Sequence, residues 1–329
     1  GSMLSLLPKI KYERRIGLSA TPERQFDEEG NKKLFVFFGS SNGYTYEYSM
    51  EEAIYNKVLC RYYYYPHLVM LTTSEMNDYI EISTKIAKYF NPEKEKFSKT
   101  DKILTALLLK RKRIIHKAEN KKEEFKKILE DYYSKKRNLK YTLIYVPEGN
   151  DPNDFYETDV YSDVEELEDD NETVHLIDLY SQIVKEQDRK ITVCKFTAQT
   201  QNREEILRQF ATGELDVLTS MKCLDEGIDV PRAELAIFCA STGNPRQFVQ
   251  RRGRILRTHP DKKFALIHDL VVIPKIETDS PSYELERSML KKELERVKNF
   301  SLLSENSSDT VKILLEIMNY YQLNLYQNN

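Results

Sequence analysis

Short apolar runs alternate with amphipathic stretches throughout the second half of the chain. Residues 141–147 form a continuous apolar run, as a buried strand of a parallel sheet should. The strand-like runs of this half cover residues 141–147, 191–196, 215–220, 234–240 and 263–272. Stretches with helical spacing lie between them, at 173–187, 202–213 and 244–257. This alternation predicts an α/β fold with a parallel sheet covered by helices on both faces.

The first half of the chain has a different pattern. Residues 32–49 have strand and turn character. The tyrosine-rich run 60–72 is typical of an extended connector packed on a core, and a platform for stacking nucleobases is the alternative. Helical spacing follows over residues 74–136, where Ser74 and Glu75 are expected to start the first helix.

Charge is distributed unevenly along the chain. Residues 148–172 are acidic and contain no lysine or arginine, which predicts a surface insertion. The helical stretch 101–137 is rich in lysine and arginine, so it is either a solvent-exposed charged face or a nucleic-acid-facing surface. Two more helical stretches, 282–300 and 308–323, end the chain.

Composition limits the classes of function. The chain has 329 residues, of which 40% are hydrophobic and 31% charged, and its formal net charge is -3. Nucleic-acid binding would therefore depend on a local basic patch, because the whole chain is not a polycation. Cys60, Cys194, Cys223 and Cys239 have no CxxC spacing, so we expect free thiols and no metal site. No apolar run reaches membrane-spanning length, which favours a cytoplasmic protein without a membrane partner.

The segment QRRGRILR, residues 250–257, concentrates positive charge. On a helix, Gln250, Arg254 and Arg257 would share one face, with spacing i, i+4, i+7, and Arg252 would point elsewhere. Two arginines on one face suit phosphate oxygens, because each guanidinium can donate two parallel hydrogen bonds. A solvated basic helix, or one neutralised by the acidic insertion, is the alternative.

Two other segments are weak signals by themselves. SMKCLDEGIDVP, residues 220–231, contains Gly227, which permits close backbone approach, and Asp229, which could accept a hydrogen bond from a ribose hydroxyl. LSATP, residues 18–22, has two small hydroxyl residues on a tight turn. Each segment alone is equally typical of an ordinary turn.

Together and in this order, the segments resemble a known motor family. GLSATPER, TLIYV, NREEILRQFATGELDVLTS, LDEGIDVP and QRRGRILR are similar to motifs III, IV, V and VI of superfamily 2 helicases. The resemblance is greatest to XPB-like DNA helicases and to related restriction and phage-defence motors. It covers 141–272 and 16–24, is looser over 73–137 and is absent over 148–172. It implies a RecA-like fold and a role in DNA repair, restriction or phage defence.

The resemblance also implies site residues. Arg254 and Arg257 would be arginine fingers on the γ-phosphate, with Gln250 assisting and Arg251 supporting. Gly227 and Asp229 would approach the nucleotide. The coupling motif that links ATP state to nucleic-acid binding would be Ser19, Ala20 and Thr21.

The implied nucleic-acid contacts depart from the family at one position. Some relatives have a threonine where Met221 stands, and a methionine cannot donate a hydrogen bond to a backbone phosphate. Thr219, Ser220 and Arg203 are the remaining candidates for that contact.

Two motifs of the family are missing from this sequence. No glycine is followed by lysine, so there is no phosphate-binding P-loop, and no apolar strand ends in a DExH box. The family carries both on a first RecA-like domain, ahead of the SAT motif. We therefore expect the C-terminal half of a two-domain motor, which is inactive alone and uses ATP and Mg²⁺ in the full-length protein.

The expected organisation has four parts. They are a remnant of the first RecA-like domain (1–24), a connector and helical region (25–116), a second RecA-like domain with the acidic insertion (117–272) and a C-terminal helical extension (273–329). The expected partners are the missing N-terminal RecA-like domain and a nucleic acid. DNA is preferred over RNA on the resemblance alone.

Three alternative interpretations stay open. One is a free-standing nucleic-acid-binding module without catalysis, and another is an RNA-directed helicase half. A protein partner at the helical or acidic regions is compatible with each. A Rossmann-type enzyme is disfavoured, because no G-x-G-x-x-G turn follows a strand.

Overall fold

A computed structural model describes most of the chain. The described residues are 14–19, 28–39, 44–91, 96–97, 102–147, 170–197, 199–221, 230–240, 245–276 and 280–326. The strands are β1 (Arg61–Met70), β2 (Phe90–Asn91), β3 (Lys96–Phe97), β4 (Thr142–Tyr145), β5 (Val193–Phe196), β6 (Val217–Ser220), β7 (Leu235–Phe238) and β8 (Phe264–Ile273). The helices are α1 (Glu28–Phe37), α2 (Met50–Tyr55), α3 (Thr73–Ala87), α4 (Lys102–His116), α5 (Lys121–Lys136), α6 (Asp170–Gln187), α7 (Arg203–Thr212), α8 (Pro245–Ile255), α9 (Tyr283–Ser301) and α10 (Ser307–Tyr320).

A six-stranded parallel sheet organises the fold. Its strand order is β1-β8-β7-β4-β6-β5, and every neighbouring pair is parallel. The three central strands β4, β6 and β7 are buried at every position, and β7 (LAIF) is a continuous apolar run, whereas β6 (VLTS) also buries Thr219 and Ser220. The predicted parallel sheet is therefore confirmed.

Helices cover both faces of the sheet, as predicted. One core contains side chains of α7, α8, α9 and α10, including Phe210, Phe248, Phe300 and Leu314. The core on the other face contains side chains of α5 and α6, such as Phe125. Because successive residues of a strand point to opposite faces, each strand contributes to both cores.

The tyrosine-rich run forms an edge strand of the same sheet. Ten residues of β1 pair in parallel with β8, from Arg61 opposite Phe264 to Met70 opposite Ile273. Tyr62 and Tyr64 have no exposed surface, so they are unavailable for stacking on nucleobases in this conformation. The run is thus packed on the core, as expected, and it forms a regular strand of the sheet where an extended connector was expected.

The C-terminal region closes the outer edge of β1. The Glu305 N–H donates to the Tyr62 carbonyl at 2.9 Å. The Asn306 side chain accepts from the Tyr64 N–H and donates to the Tyr64 carbonyl, both at 2.9 Å. An edge strand left open could pair with another chain, and these contacts satisfy it instead. Apart from Ile273, the strands of the sheet come from two of the four predicted regions, and the C-terminal region contacts its edge. The boundaries of the regions stay predictions.

Two local predictions are wrong. Residues 32–49 were expected to have strand and turn character, but residues 28–37 form α1. A short apolar run cannot be assigned to strand or helix by its periodicity alone. The start of α3 was placed at Ser74, whereas Thr72 is the N-cap and forms a reciprocal capping box with Glu75.

Other predicted elements agree with the structure within a few residues. The helical region 74–136 consists of α3, α4 and α5, interrupted by the small antiparallel pair β2–β3, which was not predicted. The helix predicted to end at Gly213 does so, with Gly213 as a left-handed C-cap at φ 76°. Most of the acidic insertion lies outside the described residues.

Candidate functional site

The arginine-rich segment lies on α8 and just beyond it. The helix begins after the carboxyl end of β7 and runs back towards the start of β8, over 11 residues. At 1.5 Å per residue its length is about 16 Å, so its arginines are spread along the flank of the sheet. The middle of α8 is still near the carboxyl end of β4, where Arg251 meets the Tyr145 ring, whereas Arg257 lies beside Leu59, just before β1 begins.

A core-facing stripe on α8 explains the orientation of its side chains. Phe248, Arg251, Arg252 and Ile255 are buried, and their spacing is i, i+3, i+4, i+7. Two of the four arginines in the segment therefore point towards the protein interior. This stripe was present in the sequence, but arginine is seldom assigned to a core position.

Arg252 connects α8 to α9. It is 5% exposed, its guanidinium donates to the Asn299 carbonyl, and it lies 5.5 Å from the centre of the Phe300 ring. Burial lowers the pKa of this guanidinium, an effect that Tyr62 opposes. Arg252 therefore points into the protein, in the direction that its spacing from Gln250 and Arg254 predicted.

Arg251 is also turned inwards. It is 3% exposed and lies 5.1 Å from the centre of the Tyr145 ring, which stacks on Phe238 at the ends of two central strands. A cation above an aromatic face is attracted by the ring quadrupole. The expected role of Arg251 beside the nucleotide stays a prediction, and its position shows a packing role.

Gln250 and Arg254 lie one turn apart on α8 and are both half-buried. Arg257 lies two residues beyond the end of the helix, so the predicted sharing of one helical face by all three residues holds only for the first two. The backbone of Arg257 forms an isolated antiparallel bridge with Leu59, just before β1 begins. Arg257 is therefore near the amino edge of the sheet.

Lys262 is a residue of this region that sequence reasoning missed. It is 6% exposed, and its ammonium donates to the carbonyls of Ile255, Arg257 and Pro231 at 2.5, 2.8 and 3.3 Å. Burial lowers the pKa of this ammonium to about 8. No sequence signal distinguishes it from the exposed Lys263 beside it.

The side chains of the nucleic-acid candidates contact protein groups. Thr219 and Ser220 have no exposed surface, and the Thr219 hydroxyl is 2.8 Å from that of Ser181. Arg203 donates to the carbonyls of Thr197 and Thr200, at 2.9 and 3.3 Å, and so holds the loop before α7. Thr219 and Ser220 cannot reach a nucleic acid in this conformation.

Of the other predicted site residues, the structure describes Ser19. Ser19 is exposed and lies outside regular secondary structure. Ala20, Thr21, Gly227 and Asp229 lie outside the described residues, so their roles stay predictions.

The described residues contain no group of three or more potential metal ligands. Cys60, Cys194 and Cys239 are free thiols, and Cys223 lies outside the described part. No helix in that part is both long and apolar enough to cross a membrane.

Comparison with known proteins identifies the central part of the chain. Residues 169–259 match the family model of the helicase conserved C-terminal domain. The DNA 3'-5' translocase XPB2 of Sulfurisphaera tokodaii is 47% identical over 77 residues, which are 23% of this chain and 17% of the relative. Rad25 of Haloarcula marismortui is 39% identical over 66 residues, which are 20% of this chain and 11% of the relative. The matches thus span less than a fifth of either relative.

One solved structure has a limited similarity to this chain. The SWI2/SNF2 ATPase core of Sulfolobus solfataricus, in complex with double-stranded DNA, is 16% identical, with a TM-score of 0.44. The match covers 93% of this chain and 59% of that chain. That score is too low to establish a shared overall arrangement, so the classification depends on the sequence matches and on the parallel sheet.

The chain therefore contains the C-terminal domain of a helicase. The relatives that part of this chain resembles are XPB-like, which agrees with the expected superfamily 2 classification.

Proposed function

We propose that this chain is the C-terminal motor part of an ATP-dependent DNA helicase or translocase. It supplies arginine fingers and part of the nucleic-acid track, and another RecA-like domain supplies the P-loop. The observation that carries the proposal is the helicase C-terminal match over residues 169–259, which includes all of α8 and Arg257. The names of the relatives, a DNA 3'-5' translocase among them, favour DNA over RNA as the track.

The arrangement of α8 supports a role for its last turn. Arg254 is half-buried on the flank of the helix, and Arg257 follows at the turn beyond it. A second domain docked against this flank would bring a nucleotide phosphate to both guanidinium groups. An arginine that meets the charge developing on a transferred phosphoryl group is worth roughly 10³–10⁵ in rate.

ATP and Mg²⁺ would be held mainly by the partner domain. Bound there, they supply the phosphoryl group and the metal charge of ATP hydrolysis. The residues of this chain that fit the arrangement are cations and donors, namely Arg254, Arg257 and Gln250. Their chemistry suits phosphate oxygens, because arginine donates in a planar, bidentate geometry.

Hydrolysis by the full-length polypeptide tests the proposal. ATP turnover would be measured with double-stranded DNA, single-stranded DNA and RNA of equal length. We expect stimulation by DNA, and a loss of kcat of about 10³-fold or more in Arg254→Ala. Arg254→Lys should also be impaired, because lysine lacks the bidentate geometry. Arg189→Ala is the matched control, since Arg189 is exposed near the start of β5.

Each contrary outcome has a defined meaning. Turnover that Arg254→Ala leaves unchanged would contradict the arginine-finger role. Stimulation by RNA alone would identify an RNA-directed motor half. Nucleic-acid binding that weakens with salt, without turnover in the full-length polypeptide, would identify a binding module.

The isolated 329-residue chain provides an independent test. We expect neither tight ATP binding nor hydrolysis, because the sequence has no P-loop. Isothermal titration with ATP and a phosphate-release assay would measure both. Robust hydrolysis that disappears in Arg254→Ala would overturn the division of the active site between two domains.

A further inference from the structure

Lys262 has an unusual arrangement for a lysine. It lies two residues before β8 and is 6% exposed, whereas lysine is almost never fully buried without a charged partner. Its ammonium has three N–H groups, and three main-chain carbonyls accept from it within 3.3 Å. The ion pairs among the described residues do not include Lys262, so carbonyl dipoles compensate its charge.

The three carbonyls belong to two separate segments. Those of Ile255 and Arg257 come from the end of α8, where the last carbonyls of a helix lack partners within the helix. The negative end of the helix dipole favours a cation there. The carbonyl of Pro231 comes from the turn before β7. An ordinary C-cap would need only the helix carbonyls, so the contact with Pro231 requires another explanation.

The turn at the end of α8, residues 254–257, is also held by residues just before β1. The Cys60 N–H donates to the Leu256 carbonyl at 2.8 Å, and Leu59 bridges Arg257. The Arg257 N–H donates back to the Arg254 carbonyl at 3.3 Å. The backbone that carries the two arginines is therefore fixed between the start of β1 and Lys262.

We propose that Lys262 is a positioning residue, which holds the Arg254–Arg257 turn in a defined place relative to the Pro231 turn. Its ammonium donates to main-chain carbonyls and faces the Cys60 thiol, and it acts on ATP turnover through the two arginines. This inference rests on the proposed function. Its physical reason is that a catalytic guanidinium misplaced by about 1 Å can lose roughly 10²-fold in rate.

Burial of the ammonium agrees with this role. It lowers the pKa of Lys262 to about 8, so holding the charge in this place costs folding free energy. The charged and titratable groups that face it are Cys60 from the segment before β1, and Arg232 and Glu234 from the turn before β7. An uncharged helix cap would avoid that cost, whereas a single ammonium can join two segments at once.

The test compares four variants in two measurements. Lys262→Met has a similar length and no donors, Lys262→Gln keeps two donors, and Lys262→Arg keeps a cation with several donors. Lys263→Met is the matched control, because Lys263 is the exposed neighbour. Amide hydrogen exchange is measured on the 329-residue chain, and kcat and KM for ATP are measured on the full-length polypeptide with DNA.

The expected results separate positioning from general stability. In Lys262→Met, exchange should rise by about tenfold at residues 254–257 and 230–233, with core strands unchanged. The same variant should lower kcat by about 10²-fold and leave KM for ATP within about twofold. Lys262→Arg should recover part of both effects. If Lys262→Met does not fold, Lys262→Gln should show the same effects at smaller size.

Three outcomes would overturn the inference. One is unchanged exchange at both segments in the methionine and glutamine variants. Another is faster exchange with normal kcat, which would make Lys262 a local cap without influence on turnover. The third is uniformly faster exchange throughout the chain without recovery by arginine. If the full-length wild type hydrolyses no ATP, the proposed function fails, and the exchange measurement alone decides whether Lys262 holds the two turns together.

Discussion

Replacing Arg296 with methionine should destabilise the fold strongly, because it removes the guanidinium that contacts two buried carboxylates. Arg296 on α9 is 2% exposed, and its guanidinium lies 3.0 Å from the Asp269 carboxylate on β8 and 2.8 Å from that of Glu293. Tyr64 of the edge strand donates to the same Asp269 oxygen at 2.9 Å. The network thus joins the C-terminal helices to the sheet.

The expected magnitude follows from burial. Removing one partner of a buried ion pair costs about 3–5 kcal/mol, since the remaining charge is not resolvated. The double variant Asp269→Asn with Arg296→Met should cost less than the sum of the two single changes, by about 1–3 kcal/mol. The control is Lys312→Met on α10. Its ion pair with Asp309 is 3.0 Å long but largely exposed, so we expect a cost of about 0–1 kcal/mol.

Urea unfolding of the 329-residue chain measures these differences. The chain has 22 tyrosines and no tryptophan, so tyrosine emission and far-ultraviolet circular dichroism are suitable probes. Equal m values are needed before the free energies of unfolding are compared. The reasoning would be refuted if Arg296→Met cost no more than Lys312→Met, or if the two changes in the double variant were additive.

Three further predictions concern the scaffold, each measured by the free energy of unfolding. Burial and a histidine neighbour lower the pKa of His268 to about 3 from 6.5, so unfolding takes up a proton as the pH falls below 6.5. Stability should therefore fall by up to about 1.4 kcal/mol per pH unit between pH 6.5 and 3, and His268→Phe should flatten this slope. Gly213→Ala should cost at least about 1–2 kcal/mol, because φ is +76° and the added Cβ would lie 2.8 Å from the Tyr141 hydroxyl; no loss would contradict the left-handed cap at this position. Asn306→Ala should cost about 1–3 kcal/mol, since it leaves two backbone groups of Tyr64 without their partner, and a neutral result would show that water replaces the side chain.

The central sheet was predictable because its strands are buried on both faces. Residues 235–238 (LAIF) are a continuous apolar run with no exposed position, a pattern that depends on local sequence alone, whereas 217–220 (VLTS) also bury two hydroxyl residues. The edge strand β1 was harder to predict. Its partner lies about 200 residues away in the chain, and the pairing Tyr65 with His268 leaves no trace in either local sequence.

The helix that carries the arginine-rich segment was predicted, but its geometry was predicted only in part. Arg252 and Arg254 were both assigned to one helix, and their spacing of two residues correctly predicted that they point in different directions. The end of that helix at Ile255 was not predicted, so Arg257 was placed on a face that the helix does not reach. Lys262 could not have been found, since its partners are carbonyl oxygens, which every residue carries.

The arginines of this segment differ in burial, and this difference determines how each can be tested. Arg251 and Arg252 are buried and contact an aromatic ring each, so their replacement would alter packing as well as charge. A loss of activity in those variants would therefore not identify a contact with a nucleotide. Arg254 and Arg257 lie at the end of the segment, where Lys262 holds the backbone through the carbonyls beside them. Substitutions at these two half-buried positions therefore report on phosphate chemistry when the free energy of unfolding is measured on the same variants.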